Sequence, residues 1–528
     1  MRSFDLPGRS TAHGQSGMAA TSSPLATLAA IDILRKGGNA ADAAVCASAV
    51  MCVTEPHMTA IGGDCFCLVG LPDGRVEGLN ASGRASANAT EDWLSASGLS
   101  EIVETNPHSV TLPGAIDGWD QLLKRHGTME LGAVLHPAIE MARDGVPVTP
   151  RVAHDWAALA DKLAQDLGAS EHYLIDGRAP VAGEIHAVPA LARSLEIIAE
   201  SGRDAFYQGE IAEDIVETLK ARGGLLTMDD FAATNADWVE PISTQWCGQD
   251  VLEIPPNGVG LTALIALNIL GHFDLSAFHP LSVERIHLQT EAIRMAFVAR
   301  NRHIADPAFA DLPIDELLSN EFAAEVAAQI SLDEAVAEPE NAVPRPGSDT
   351  VYLTVVDKDR MAVSFINSIF GGFGSGIVTE KSGIILQNRG SGFVTTPGHP
   401  NCIGPAKRPL HTIIPSMMRK DGEITMPFGV MGGAYQPMGH VQVAVNMGTY
   451  GMDIQEALDF PRFFPENGTL GVESTISDET MAALAEKGHD VVRAQSPFGG
   501  GQGIVIDREK GTLCGGSDPR KDGLALGF

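Results

Sequence analysis

Apolar residues recur at helical spacing in Leu25, Leu28, Ile31 and Leu34, preceded by Ser23 and Pro24 and followed by Arg35, Lys36 and Gly37. A capping serine, a first-turn proline and a closing glycine predict a helix there. The longest apolar run, Ala40 to Val53, carries Asp42 and is too short to cross a bilayer. Its many alanines predict a buried helix against which neighbours pack closely. From about Val110 to Ile330 the periodicity is mostly helical, as in "AHDWAALADKLAQDL" and "SVERIHLQTEAIRMAFVARN", with few strands. After residue 350 the period changes to that of strands: "TVYLTVVD", "MAVSFIN", "SGIILQN" and "GQGIVID" place β-branched residues between glycine and aspartate turns. One late helix pattern, "SDETMAALAEKG", is capped by Ser477.

Between these two regimes lies "DEAVAEPENAVPRPGSD", residues 333–349, with three prolines and almost no bulky apolar side chain. Such a stretch has little surface to bury and reads as an exposed, mobile linker. It divides the chain into a helix-rich part, 1–349, and a strand-rich part, 350–528, expected to intertwine in one catalytic domain. At 528 residues the protein exceeds the size at which one core usually stops growing, so two lobes or one large layered domain are expected.

A net charge of -31 disfavours nucleic acid and anionic membrane surfaces as partners, and makes any arginine in a cleft stand out. The first residues, "MRSFDLPGRSTAHGQSG", hold no apolar segment of the signal-peptide kind. The seven cysteines lack CxxC pairs and a neighbouring histidine cluster, so neither a disulfide framework nor a zinc site is expected. They read as small buried apolar residues in a reducing, cytoplasmic setting.

The linker runs straight into Thr350. A threonine hydroxyl is a poor nucleophile unless a base stands beside it, and a free α-amine on the same residue, with a pKa of about 7.7 to 8, is such a base. Cleavage between Asp349 and Thr350 would create it. An ordinary reading, a threonine that merely opens a strand, remains open on this ground alone.

Six segments, in order, resemble the γ-glutamyltranspeptidase family of N-terminal-nucleophile hydrolases: "SPLATLAAIDILRKGGNAADAAVCASAVMCVTEPHMTAIGGDCF", "TVYLTVVDKDRMAVSF", "FGSGIV", "GPAKRPLHTIIPSM", "VMGGAYQPMGH" and "CGGSDPRKDGLALGF". The resemblance implies an α+β fold, a four-layer αββα sandwich, and a precursor that cuts itself into a large and a small subunit, with Thr350 as nucleophile. By the same resemblance Ser368 matches a threonine that positions the nucleophile, and Gly432 and Gly433 match a pair whose backbone N–H groups stabilise the oxyanion. Association of two such subunit pairs is left open. No metal or organic cofactor is implied. Ser368 also reads as a solvent-facing strand residue, and the glycines as a plain turn.

The chain departs from transpeptidases around the substrate. Where that family has an acid for an α-ammonium, Gly392 stands, with Arg389 nearby in "LQNRGSGF". The family arginine for the α-carboxylate falls at Ser82, with Arg84 two places on. Paired serines become His411 and Thr412, and an asparagine becomes Phe370. Arg84 and Arg389 suit a carboxylate without an ammonium, so the expected substrate is a small anionic amide of the oxamate type. The alternatives are a γ-glutamyl hydrolase or transferase acting on glutathione-like compounds, a cephalosporin-acylase-like amidase, and an uncut scaffold without activity. A surface ion pair for Arg389 and a hydrogen-bonded core position for His411 stand beside these roles.

Overall fold

Every residue of Val351–Val356 and Ala362–Ser368 is buried, on both faces of each strand. Alternation cannot produce that; a layer must cover each side. The structure, a computed structural model that describes residues 5, 8–337 and 350–528, supplies both layers.

The sheet strands, in chain order, are β1 (Ala12–Gly14), β2 (Met18–Thr21), β3 (Asp64–Gly70), β4 (Val76–Ala81), β5 (Asp237–Val239), β6 (Ile242–Trp246), β7 (Gln249–Glu253), β8 (Val351–Val356), β9 (Ala362–Ser368), β10 (Ser416–Lys420), β11 (Glu423–Met431), β12 (Gly500–Asp507), β13 (Thr512–Ser517) and β14 (Leu524–Gly527). One sheet runs β14-β2-β8-β9-β3-β4-β5 and the other β1-β13-β12-β11-β10-β7-β6. Each sheet takes strands from both sides of position 350, so the two expected parts are interwoven rather than side by side.

Helices α1 (Pro24–Arg35) and α2 (Ala40–Thr54) cover the first sheet; α3 (Gly260–Leu270) and α5 (Gln436–Gly448) cover the second. With α4 (Val283–His303) packed on α3, this is the expected four-layer αββα sandwich. Asp42, the one charge in the apolar run, completes a capping box with Asn39 and accepts bonds from Thr128 and Met129 N–H. The alanines around it are fully buried. Between the sheets the Tyr352 hydroxyl bonds Ser364 Oγ at 2.7 Å, and its ring lies on Gly429, where a Cβ would come within 2.4 Å of it. Only glycine lets the second sheet approach so closely.

Three expectations change. "AHDWAALADKLAQDL" breaks into Pro150–Ala158, Ala160–Leu163 and Leu167–Tyr173. There Lys162 donates to the carbonyls of Gly372 and Gly374, and Asp166 caps the third piece. "SGIILQN" forms only isolated bridges, Gly62 with Leu386 and Val378 with Ile385; its apolar density reflects burial, not a ladder. Among the cysteines, Cys46, Cys52, Cys65 and Cys67 are buried, but Cys247 is exposed and Cys402 and Cys514 half-buried.

The expected linker lies mostly outside the described residues, as does Asp349. Its first residues are not uniformly free: Asp333 and Glu334 are exposed, but Ala335 N–H donates to Lys487 O and Val336 N–H to Glu291 Oε2. Just before them, His287 bonds Ser331 O and Lys487 bonds Leu332 O.

Candidate active site

Thr350 immediately precedes β8, whose Val351 pairs with Asn367 of β9, so the adjacent Ser368 is brought to its side. Thr350 is fully buried, and its Oγ1 lies 3.1 Å from Ser368 Oγ. Ser368 Oγ also accepts the Phe370 N–H at 2.9 Å and Arg389 Nη2 at 3.1 Å. Its oxygen thus accepts two N–H groups and shares one hydrogen bond with Thr350 Oγ1, in which either hydroxyl can donate.

Arg389 sits in the short 3-10 turn Arg389–Gly392, fully buried rather than in the surface ion pair that its residue type also allowed. Its Nη1 donates to Thr412 Oγ1 at 2.8 Å, and its guanidinium lies 4.2 Å over the Phe370 ring. Its Nε has no hydrogen-bond partner among the described residues. Burial pushes its pKa down to about 9, with the charge of Asp64 acting the other way; the side chain stays charged at neutral pH. Phe370 holds a φ of +77°, uncommon outside glycine, with its N–H fixed by Ser368.

Asp64, at the start of β3, pairs across the sheet with Ser368. Its buried carboxylate accepts from Gly83 N–H (2.9 Å), Gly114 N–H (3.2 Å) and Gln387 Nε2 (2.9 Å), and faces His411 Nε2 at 3.0 Å. Burial raises Asp64 to about 6 and holds His411 well below the usual histidine range. His411 is fully buried against the Phe66 ring, the hydrogen-bonded core position that its residue type also allowed. Residue type alone left Asp64 unremarked, although an acid entering an apolar strand in "IGGDCF" is a signal.

Gly432 and Gly433 follow β11 with φ of +126° and +55°. A Cβ on Gly432 would lie 2.8 Å from the Gly499 backbone, so the turn needs glycine. Among the described residues neither amide N–H has an acceptor. Next to them Ala434, with Phe370, Gly392 and Thr412, lines a cleft of about 1140 Å³ that also takes in Glu104 and Arg302.

Arg84, the other arginine expected at a substrate carboxylate, is engaged by acids of this chain. Its guanidinium faces Asp306 at 3.5 Å and Asp237 at 3.4 Å and donates to Ala406 O, beside Arg408, which bonds the same Asp237. Two acids neutralise it there. Among the described residues, His287, Glu291 and His489 form a cluster of metal-ligand type, but its atoms are engaged with one another and with Ser331 O, Arg294 and Val336 N–H. No helix of the described residues is long and apolar enough to cross a membrane.

The family model described as gamma-glutamyltranspeptidase matches residues 26–528. A glutathione hydrolase-like YwrD proenzyme of Bacillus subtilis (strain 168) is 39% identical over 515 residues, 96% of this chain and 97% of that protein. An oxamate amidohydrolase proenzyme of Klebsiella pneumoniae is 34% identical over 526 residues, 97% of this chain and 98% of that one. The crystal structure of a cephalosporin acylase from Bacillus halodurans superposes with a TM-score of 0.93 at 40% identity, covering 100% of this chain and 99% of that one. The likeness therefore extends across both sides of position 350.

Proposed function

The chain belongs to the γ-glutamyltranspeptidase family and is an N-terminal-nucleophile hydrolase, and from that premise we propose that it matures by cutting itself between Asp349 and Thr350 and then hydrolyses a small anionic amide. In the cut, Thr350 Oγ attacks the Asp349 carbonyl carbon, the amide nitrogen leaves with a proton as the new α-amine, and water hydrolyses the resulting ester. In turnover that amine takes the proton from Thr350 Oγ as it attacks the substrate carbonyl. The Gly432 and Gly433 amides receive the oxyanion, a contribution of several kcal/mol in a water-poor site. Ammonia or an amine leaves, and water hydrolyses the acyl-threonine with the amine again as base. No step calls on a cofactor. The products of the cut are a large subunit, 1–349, and a small subunit, 350–528.

One observation carries the substrate class: the hydrogen-bonded chain from Thr350 Oγ1 through Ser368 Oγ to Arg389. The guanidinium stands no more than two hydrogen bonds from the nucleophile. A carboxylate gripped there must be close to the attacked carbonyl, as in oxamate, whose two carbons are adjacent. Ammonia release from oxamate by purified, cut protein tests this, and inactivity on oxamate beside activity on longer amides would refute it.

A second reading rests on the cleft. Its volume exceeds what a two-carbon acid fills, and Glu104 Oε2 reaches the Phe370–Gly371 turn, where a Cβ on Gly371 would meet it at 3.2 Å. An acid there suits the ammonium of a γ-glutamyl group. Hydrolysis of γ-glutamyl-p-nitroanilide or of a glutaryl amide faster than oxamate favours this reading.

A further inference from the structure

Resting on the reading of Arg389 as the carboxylate-binding group, we propose that Asp64 is the specificity-determining positioning residue of this site: its buried negative charge opposes that of Arg389 and limits how tightly an anionic acyl group is held.

Among the described residues Arg389 makes hydrogen bonds only to neutral hydroxyls, Thr412 and Ser368, and stacks on Phe370. Among the described residues it has no ion pair, and Asp64 is the acid whose field reaches it. The carboxylate is held in place by four groups from four segments: Gly83, Gly114, Gln387 and His411. Gln387 lies two residues before Arg389, so the carboxylate fixes the turn carrying the guanidinium as well as balancing its charge. Asp64 also stands directly across β3 and β9 from Ser368, the residue that joins Arg389 to Thr350.

A buried arginine without a counter-charge is costly, and one fully neutralised binds a further anion weakly. An acid near Arg389 but not bonded to it is a compromise: the guanidinium remains charged in the empty site, and the substrate carboxylate competes with Asp64 for its field. Removing the charge at position 64 therefore tightens anion binding, whereas a merely structural role would loosen every ligand alike.

The groups facing Asp64 are His411, Arg389, the Gln387 amide and the neighbouring Cys65 thiol, with Arg408 acting on His411. Burial holds His411 neutral and raises the Cys65 thiol well above its usual range, so neither changes charge between pH 7 and 5. Asp64, raised to about 6, does. A free α-amine on Thr350 is already protonated through that window.

The test is competitive inhibition of the cut enzyme by oxalate, an anion, and by oxamide, its neutral diamide. In Asp64→Asn the inhibition constant of oxalate is expected to fall about tenfold, with that of oxamide unchanged within about twofold. An unchanged or raised constant for oxalate in folded, cut Asp64→Asn overturns the proposal. If that variant does not fold, the wild-type enzyme decides: oxalate binding must tighten about tenfold from pH 7 to 5 while oxamide binding stays level, and a flat oxalate profile overturns it. Failure of oxalate to inhibit wild-type enzyme at any pH overturns the short-anion reading itself, and this proposal with it.

Discussion

Thr350 Oγ1 and Ser368 Oγ lie 3.1 Å apart, two buried hydroxyls brought side by side by the register of β8 and β9. Ser368 Oγ also accepts the N–H groups of Phe370 and Arg389, which fix its position beside the threonine. The pairing sets where the Thr350 hydroxyl lies relative to Ser368 and, through it, Arg389.

Thr350→Ala is expected to give a folded, uncut and inactive chain, since cut and turnover use the same hydroxyl. Denaturing gel electrophoresis should show one band in place of two. Thr350→Ser should still be cut, because serine offers both hydroxyl and amine, though more slowly. Normal processing of the alanine variant would remove Thr350 from the mechanism.

Ser368→Ala strips a partner from Thr350 Oγ1, Phe370 N–H and Arg389 Nη2 together. Two buried donors left unsatisfied should cost about 2–4 kcal/mol, read as a lower urea midpoint, and kcat should fall by at least about 100-fold. Ser368→Thr restores the hydroxyl and should recover most of both. Full activity in Ser368→Ala would contradict the positioning role.

Arg389→Met keeps the stem that packs on Phe370 and deletes the charge. For oxamate, KM should rise at least about 30-fold, roughly 2 kcal/mol, with a much smaller change for oxamide. Equal changes for the two amides would leave Arg389 no part in carboxylate recognition.

His186 gives a dependence of stability on pH. It is buried edge-on to Trp156, its Nε2 has no partner among the described residues, and burial lowers its pKa to about 4. The unfolded chain binds a proton near pH 6.5 that the folded one refuses, so this contribution is complete above 6.5 and is lost as pH falls toward 4. Between pH 7 and 5 it amounts to about 2 kcal/mol. Urea unfolding at the two pH values, compared with His186→Gln, should show a shallower loss in the variant; identical slopes would assign the acid sensitivity elsewhere.

Much of this was legible in the residue order. Leu25 to Leu34, Ala40 to Val53 and the strands after Thr350 announce themselves because their periodicity and caps are local. Thr350 stood out because it closes a stretch that cannot bury surface. Asp64 with His411 did not, since the pair is separated by 347 positions and only the fold joins them. The surroundings of Arg84 were hidden for the same reason: its counter-charges, Asp237 and Asp306, come from distant segments. "SGIILQN" misled because β-branched residues report burial as readily as strand pairing.

Each sheet joins strands that precede position 350 to strands that follow it. If the chain is cut before Thr350 as proposed, folding is expected to be finished while the polypeptide is still one covalent thread. Once the thread is severed, the halves stay together only by the ladders and core they already share. Denaturing the matured protein turns a unimolecular search into an encounter between two polymers, so recovery after dilution from urea should depend on concentration for the mature enzyme and not for its Thr350→Ala precursor.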